Sequence, residues 1–367
     1  MSLVALPMTD EDLIGYSDEG VPNSVLKAWG FEAGRVDHVQ VGHINQTFRV
    51  SMGPSGPEYV LQRLNPMFGP AVHYDIEAIT QRLDAAGLVT PRLLRTRSNE
   101  LWHIDGEGGL WRVMTWIEGR NISAVDSPLI CHAAGLLVAR FHLAVKDFKY
   151  EFRNQRVGVH DTSAHVRRLV ETLESHDFHK LHAEVQPLAE EAMERLKQLP
   201  SLEGLPERIV HGDLKINNLI FTPEEEGLCL IDLDTLGHMN IAVELGDALR
   251  SWCNPTGESR ADSEFAPECY QAALEGYAEG GGTFLSPAEI NAIPVGVETI
   301  ALELTVRFLT DALQESYFGW DRVEFASAGH HNLHRAKSQL SFARSFAAQK
   351  EQVVGLTRAA FSTRKTL

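Results

Sequence analysis

The residues with the types and spacing to do chemistry lie in Val210-His211-Gly212-Asp213-Leu214-Lys215-Ile216-Asn217-Asn218 and, shortly after, Leu230-Ile231-Asp232-Leu233-Asp234. An aspartate, an asparagine five positions on, and an aspartate after a short apolar run form the ordered set of a phosphoryl-transfer centre. In that set Asp213 takes the proton of an attacking hydroxyl. Asn218 and Asp232 hold magnesium ions that bridge the phosphates of ATP. The types fit, since a carboxylate accepts a proton or ligates a hard cation, and an amide oxygen ligates one without adding charge. Asp234, two positions past Asp232, is a candidate to support the metal shell or the acceptor. His-Gly-Asp alone would say little; the ordered combination is specific. The bland alternative is a hairpin with a polar turn and two surface aspartates.

The elements that must position these groups are legible around them. Arg208 to Val210 reads as a strand entering the loop, Leu219 to Phe221 as a strand leaving it, and Leu228 to Ile231 as a buried strand that presents Asp232 at its end. Upstream, up to about Ile117, the texture is of short strands around one helix. Strands are expected at Val36 to Val41, Thr47 to Ser51, Tyr59 to Leu64, Leu101 to Ile104 and Leu110 to Trp116. The Gly53-Pro54-Ser55-Gly56-Pro57 turn joins two of them in a hairpin. Ile76, Ile79, Leu83 and Leu88 give the helix. After Glu118-Gly119 the texture turns helical. Asp126-Ser127-Pro128 starts a helix, Val166, Leu169, Val170 and Leu173 form an apolar stripe, and Ser286-Pro287-Ala288-Glu289 is a capping box. Gly280-Gly281-Gly282 reads as a flexible joint. A small β-rich lobe over residues 1–117 followed by a large helical lobe over 118–367 is the expected α+β layout.

The chain has 367 residues, 44% hydrophobic and 23% charged, with a net charge of -17. That balance is of a soluble globular protein. The acidity argues against nucleic acid as a partner, because phosphate backbones are bound by an excess of Lys and Arg. Cys131, Cys229, Cys253 and Cys269 show no metal or redox spacing and read as reduced thiols of a cytoplasmic protein. The start of the chain lacks signal-peptide character, and no apolar run approaches the roughly 20 residues that span a bilayer. His176, His179 and His182, and His330, His331 and His334, are spaced for one helix face but lack the ligand company of structural zinc. They read as solvated histidines. Nothing in the sequence sets the oligomeric state.

The chain resembles the aminoglycoside phosphotransferase and choline kinase family of small-molecule kinases and, more narrowly, the bacterial N-acetylhexosamine 1-kinases. The likeness rests on Gly42-His43-Ile44-Asn45-Gln46-Thr47-Phe48, Tyr59-Val60-Leu61-Gln62, Trp111-Arg112-Val113, Ile117-Glu118, His160-Asp161-Thr162, the central loop and Ile231 to Thr235. Gly246-Asp247, Arg250, Arg307-Phe308-Leu309, Asp311 and His331-Asn332-Leu333 extend it. It runs from about Gly42 to Gln339. It implies a protein-kinase-like two-lobed fold and ATP with Mg2+ as cofactors. Gly42, Asn45 and Thr47 would belong to a hairpin over the ATP phosphates. Thr115, Trp116 and Ile117 would lie in the hinge that pairs with adenine. The third strand departs from the pattern. It carries Gln62 where a phosphate-pairing lysine is usual, and a neutral amide makes a weaker bond than a charged group. Glu77 on the first helix is the candidate partner of Gln62.

The short run from Asp232 to the helical pattern at Gly246-Asp247 leaves little to dock a peptide, so the acceptor is expected to be a small hydroxyl compound. The resemblance points to an amino or N-acetylamino sugar, phosphorylated at its anomeric hydroxyl. An aminoglycoside, choline or another small alcohol is the alternative, and a nucleotide-binding pseudokinase scaffold is the rival class. Glu303, Arg307 and Asp311 follow one another at i, i+4, i+8 on one helix face. They could hydrogen-bond sugar hydroxyls or form a row of intrahelical ion pairs. Trp102, Trp111, Trp116 and Trp252 could offer aromatic faces, although most read as core. His43, His160, Asp161 and Asp234 complete the candidate acceptor set.

Overall fold

A computed structural model describes residues 20–39, 45–154, 160–257 and 260–362. The chain divides into two compact units, Met1–Glu118 with Tyr150–Asn154, and Gly119–Lys149 with Gln155–Leu367.

The first unit consists of α1 (Asn23–Trp29), β1 (Arg35–Val39), β2 (Gln46–Ser51), β3 (Glu58–Arg63), α2 (Val72–Ala85), β4 (Leu93–Leu94), β5 (His103–Ile104) and β6 (Leu110–Thr115). The strands pair antiparallel in the order β1-β2-β3-β6-β4, with β5 also on β6. Strand alternation sorts the side chains. Phe48, Val50, Leu61, Trp111 and Val113 face one way and are buried with Val25, Leu26 and Trp29 of α1. In register on the other face lie Thr47, Gln62 and Arg112, since Thr47 is opposite Gln62 and Gln62 opposite Arg112. The sequence had signalled one helix here; α1 is the addition. Seven residues are too few to show a helical period, and Gly30, at φ 81°, ends it. The return of Tyr150–Asn154 to this unit also has no local signal. Buried Asp75 of α2 holds that segment, accepting from Tyr150 Oη at 2.8 Å, Arg153 N at 2.9 Å and Asn154 N at 2.8 Å.

In the second unit come β7 (Arg120–Asn121), α3 (Pro128–Val145), α4 (Thr162–Ser175), α5 (His182–Gln198), β8 (Glu207–Val210), β9 (Leu219–Phe221), β10 (Gly227–Leu230), β11 (Gly237–Asn240), α6 (Ile241–Trp252), α7 (Pro267–Glu279), α8 (Pro287–Gln314), α9 (Ala328–Ala348) and α10 (Lys350–Ser362). The architecture is α+β and kinase-like. Helices start where the sequence puts them. Ser127 caps α3 with proline following, and Ser286 and Glu289 form the capping box of α8. Ala266-Pro267-Glu268 is another helix start, with Pro267 first in α7. Apolar α3 has the length and hydropathy of a membrane span, yet 67% of it is buried inside the fold, as in a core helix.

Two of the helices approach at glycines. A Cβ on Gly246 of α6 would lie 2.5 Å from the carbonyl oxygen of Gly296, and one on Gly296 of α8 would lie 1.8 Å from that of Ala242. Gly280 and Gly282 likewise serve packing rather than a flexible joint. A Cβ there would meet Leu136 O at 2.5 Å and the Tyr277 ring at 2.3 Å.

Candidate phosphoryl-transfer site

Strand β8 delivers the chain into a loop from His211 to Lys215, and a 3-10 turn at Ile216–Asn218 leads into β9. Antiparallel pairing of β9 with β10 sets Leu219 opposite Leu230. Ile231 N donates to Asn218 O at 2.9 Å. That pairing brings Asn218, just before one strand, beside Asp232, just after the other. Asp232 itself has φ 62° and ψ 56°. Few residues without a free backbone adopt the left-handed region, and Asp is among those that tolerate it.

Helix α6 grips the loop from below. Glu244, 1% exposed, accepts from His211 N at 2.8 Å and Gly212 N at 3.0 Å. Asp247 accepts from Leu214 N at 3.1 Å, Ser251 Oγ from Ile216 N at 3.2 Å, and Trp252 Nε1 donates to Leu214 O at 2.8 Å. Gly212 is at φ 83°, and a Cβ there would stand 2.4 Å from Thr235 O, so glycine alone fits. His211 Nε2 pairs with Ile231 O at 2.8 Å, and Thr235 Oγ1 donates to His211 O at 2.8 Å.

The frame aims three side chains together. Asp213 Oδ2 accepts from Asn218 Nδ2 at 3.0 Å and from Lys215 Nζ at 2.9 Å, and Asn218 Nδ2 also donates to Asp213 O at 2.9 Å. The Asn218 nitrogen is committed to Asp213, which turns its oxygen away from that carboxylate. Asp232 is close enough for its charge to act on Lys215. Burial depresses the Lys215 ammonium, but the charges of Asp213 and Asp232 outweigh it and hold it above its usual value. An amide oxygen and a carboxylate suit a divalent cation whose other ligands are phosphate and water. Among the described residues no three His, Cys, Asp or Glu side chains gather as a metal cage.

Near this triad two further charge pairs form, Arg250 with Asp247 and His160 with Glu303. Arg250 donates to Asp247 Oδ1 at 2.8 Å. Asp247 stays below the usual carboxylate range despite its burial, because Arg250 and then His160 favour the charged form. His160 Nδ1 meets Glu303 Oε1 at 2.9 Å, Thr162 Oγ1 donates to Glu303 Oε2, and Arg307 lies 3.9 Å from Oε1. Burial pushes His160 down, but the bond to Glu303 and its charge win, so its pKa is raised. Buried Glu303 is correspondingly held low by His160. Asp234, 1% exposed, sits in the turn after Asp232.

Several expected roles are taken by other contacts. Asp311 is not presented to an acceptor. Its Oδ1 accepts from Ser316 N and Tyr317 N, and its Oδ2 from Phe318 N and Asn332 Nδ2, so four internal donors fill both oxygens. Asp161 caps α4 through Ala164 N at 2.8 Å. The Arg307 guanidinium stands 5.7 Å from the Phe318 ring centroid. Trp111 and Trp252 are core. Trp116 donates to Glu118 and stacks under Arg49, and Trp102 packs on His73 and Tyr74.

In the first unit, Glu77 does not partner Gln62. Glu77 pairs with Arg95, while Gln62 Oε1 accepts from Arg112 Nε at 2.9 Å and Nη2 at 2.7 Å. The reason is register, since β6 sets Arg112 directly opposite Gln62. Gln62 Nε2 donates to Thr47 Oγ1 at 3.1 Å. Asn45 Oδ1 accepts from Asn65 N at 2.9 Å. Thr115 N and Trp116 N donate to Arg92 O and Glu58 O, which leaves Ile117 as the first residue beyond the ladder. Gly42 and His43 lie outside the described residues.

Sequence reasoning had given no role to Lys215, Arg112, Glu244 or Ser251. A usable signal was present for α6. Glu244, Asp247 and Ser251 share one face of a largely apolar helix, and carboxylates in such a helix need internal donors.

Residues 37–282 match the model of the phosphotransferase enzyme family. The chain belongs to that family. It is a small-molecule phosphotransferase, ATP-dependent, with an alcohol group as acceptor. No curated protein matches the sequence at a significant level. Solved structures share the fold. An amicoumacin kinase in complex with AMP-PNP, Ca2+ and Ami is 17% identical, with a TM-score of 0.62 over 89% of this chain and 93% of that one. An aminoglycoside phosphotransferase from Alicyclobacillus acidocaldarius is 17% identical, with a TM-score of 0.55 over 90% and 97%. A choline kinase from Cryptosporidium parvum is 14% identical, with a TM-score of 0.54 over 90% and 94%.

Proposed function

We propose that the chain transfers the γ-phosphate of ATP to a hydroxyl of an amino or N-acetylamino sugar, with the anomeric hydroxyl as the site of transfer. The observation that carries the phosphoryl-transfer half is the Asp213 carboxylate fixed by Asn218 and Lys215 on a loop that α6 holds rigid. Asp213 orients the acceptor hydroxyl and takes its proton. Lys215 shares the Asp213 oxygen. Asn218 Oδ1 and Asp232 would hold Mg2+, which supplies neutralisation of charge on the β- and γ-phosphates. Thr47, Gln62, Thr115, Trp116 and Ile117 are the proposed nucleotide contacts of the first unit. Positioning and electrostatics carry such a reaction, which asks little covalent chemistry of the protein.

A neutral acceptor is supported by the charge pairing around Asp213. Asp247 is taken by Arg250, Glu303 by His160 and Thr162, Glu244 by backbone N–H groups, and Asp311 by four donors. A polycationic acceptor would need such carboxylates to be spare; His160, Thr162, Arg307 and Asp234 are the proposed contacts of a polyhydroxylated one. The nucleotide donor and four unpaired cysteines support a cytoplasmic setting.

The deciding experiment is ADP release from Mg-ATP with N-acetylglucosamine, N-acetylgalactosamine, glucosamine, galactose, choline and kanamycin, with Asp213→Asn as blank. Turnover on an N-acetylhexosamine is expected. Turnover confined to choline or kanamycin would move the acceptor to another class. ATP binding without turnover on any of them would favour a scaffold.

A further inference from the structure

Arg112, Gln62 and Thr47 form a line across three adjacent strands, each residue directly opposite the next. Burial grades along it, from 0% exposed at Arg112 to half-buried at Gln62 and Thr47. The face they occupy is the one not filled by the apolar cluster with α1. Donation runs one way. Arg112 gives two hydrogen bonds to Gln62 Oε1, and Gln62 Nε2 gives one to Thr47 Oγ1.

This direction has a chemical consequence. A glutamine can present either its oxygen or its nitrogen, since the two ends are nearly the same size. An arginine is always charged and has only donors. With its oxygen bound to Arg112, Gln62 must turn its NH2 group away. The second Nε2 proton and the Thr47 hydroxyl proton are then both offered outward. Phosphate oxygens accept and never donate, so a freely flipping glutamine would repel them in half of its orientations.

We propose that Arg112 is the positioning residue of the ATP-phosphate site in the first unit: it locks Gln62 as a donor and supplies, one strand away, the positive charge that a lysine at Gln62 would carry. The proposal rests on ATP as the phosphate donor. The charge has moved from the third strand to the neighbouring strand, and the amide transmits it.

The test is the ratio of affinities for ATP and adenosine, measured by titration calorimetry on the full chain. Adenosine lacks the phosphates and controls for folding and for the base site. Arg112→Met is expected to lower the ATP-to-adenosine ratio about tenfold, the order of one charge-assisted hydrogen bond. Adding Gln62→Lys to Arg112→Met is expected to restore it. Because buried Arg112 also packs, Gln62→Glu gives a second route. It keeps size and gains an ion pair to Arg112, yet presents an acceptor outward, so ATP binding should fall while adenosine binding and the melting temperature hold. Equal loss of ATP and adenosine in Arg112→Met, no rescue by Gln62→Lys, or unchanged ATP binding in Gln62→Glu would each overturn the proposal. A wild-type chain that binds ATP no better than adenosine would fail the donor reading itself, and the proposal with it.

Discussion

In the sheet of the first unit, Thr47, Gln62 and Arg112 sit side by side because strand pairing puts them there. The loop from His211 to Asn218 in the helical unit has no such ladder, and its backbone N–H groups are held by Glu244, Asp247 and Ser251 of α6. The difference teaches where each site is vulnerable. A strand site carries its own anchor, and its polar side chains can be neutral. A loop site borrows its anchor from a buried helix, and charged carboxylates are used because each can take several backbone donors. The same device recurs on α8. Asp311 ties the backbone of Ser316, Tyr317 and Phe318, and Glu303 ties His160 and Thr162.

The largest effect should come from the loop itself. Asp213→Asn removes the proposed proton acceptor but keeps the shape, so turnover should fall at least about 100-fold while the melting curve stays near wild type. A variant with near-normal turnover would take Asp213 out of the chemistry.

Next is the buried pair of His160 with Glu303 of α8. Glu303→Gln should cost about 3 kcal/mol at pH 6, because His160 loses its charged partner inside the fold. The sign with pH follows from both shifts. His160 has a raised pKa, so its contribution is full below its unfolded value of about 6.5 and fades as pH rises through the folded value. Glu303 has a lowered one, so its contribution holds above the ordinary carboxylate value and fades as pH falls through the depressed value. Chemical denaturation of both chains at pH 6 and pH 9 should show the gap shrinking at the higher pH. An equal gap at both would mean that His160 does not change its charge between these two pH values in the folded protein.

A smaller loss is expected where the anchor is only weakened. Glu244→Gln keeps the size and one acceptor, so about 2 kcal/mol of stability should go, with a drop in kcat larger than any rise in KM. If kcat were untouched, the grip of α6 would matter for folding alone, and the contrast between strand and loop sites would lose its functional meaning.

The smallest change should be at Asp161, which caps α4 from an exposed position. Asp161→Ala is expected to cost about 1 kcal/mol and to leave the KM of the acceptor unchanged. A several-fold rise in that KM would return Asp161 to the acceptor site.

Much of the frame was legible because its signals are local. The apolar runs around the central loop, the Ser127 and Ser286 caps and the glycine-proline turn each act over a few residues. The ordered spacing of Asp213, Asn218 and Asp232 also survives as a linear pattern, since a hairpin of β9 and β10 brings its two ends together whatever the rest of the chain does. Helix α1 and the return of Tyr150–Asn154 left no such trace, one being too short to show a period and the other depending on a buried Asp75 far away in sequence.

By itself, then, the sequence determined the chemistry on offer: which carboxylate and which amide stand at motif spacing, and the family to which that spacing belongs. Tertiary structure decided who partners whom. Gln62 meets Arg112 rather than Glu77 because sheet register joins residues 50 positions apart. Asp311 is spent on a loop backbone because unpaired N–H groups in a folded chain need acceptors. Hydrogen-bond partners of polar side chains are set by distances that only the folded chain defines, whereas caps, turns and periodic stripes are set by neighbours along the chain.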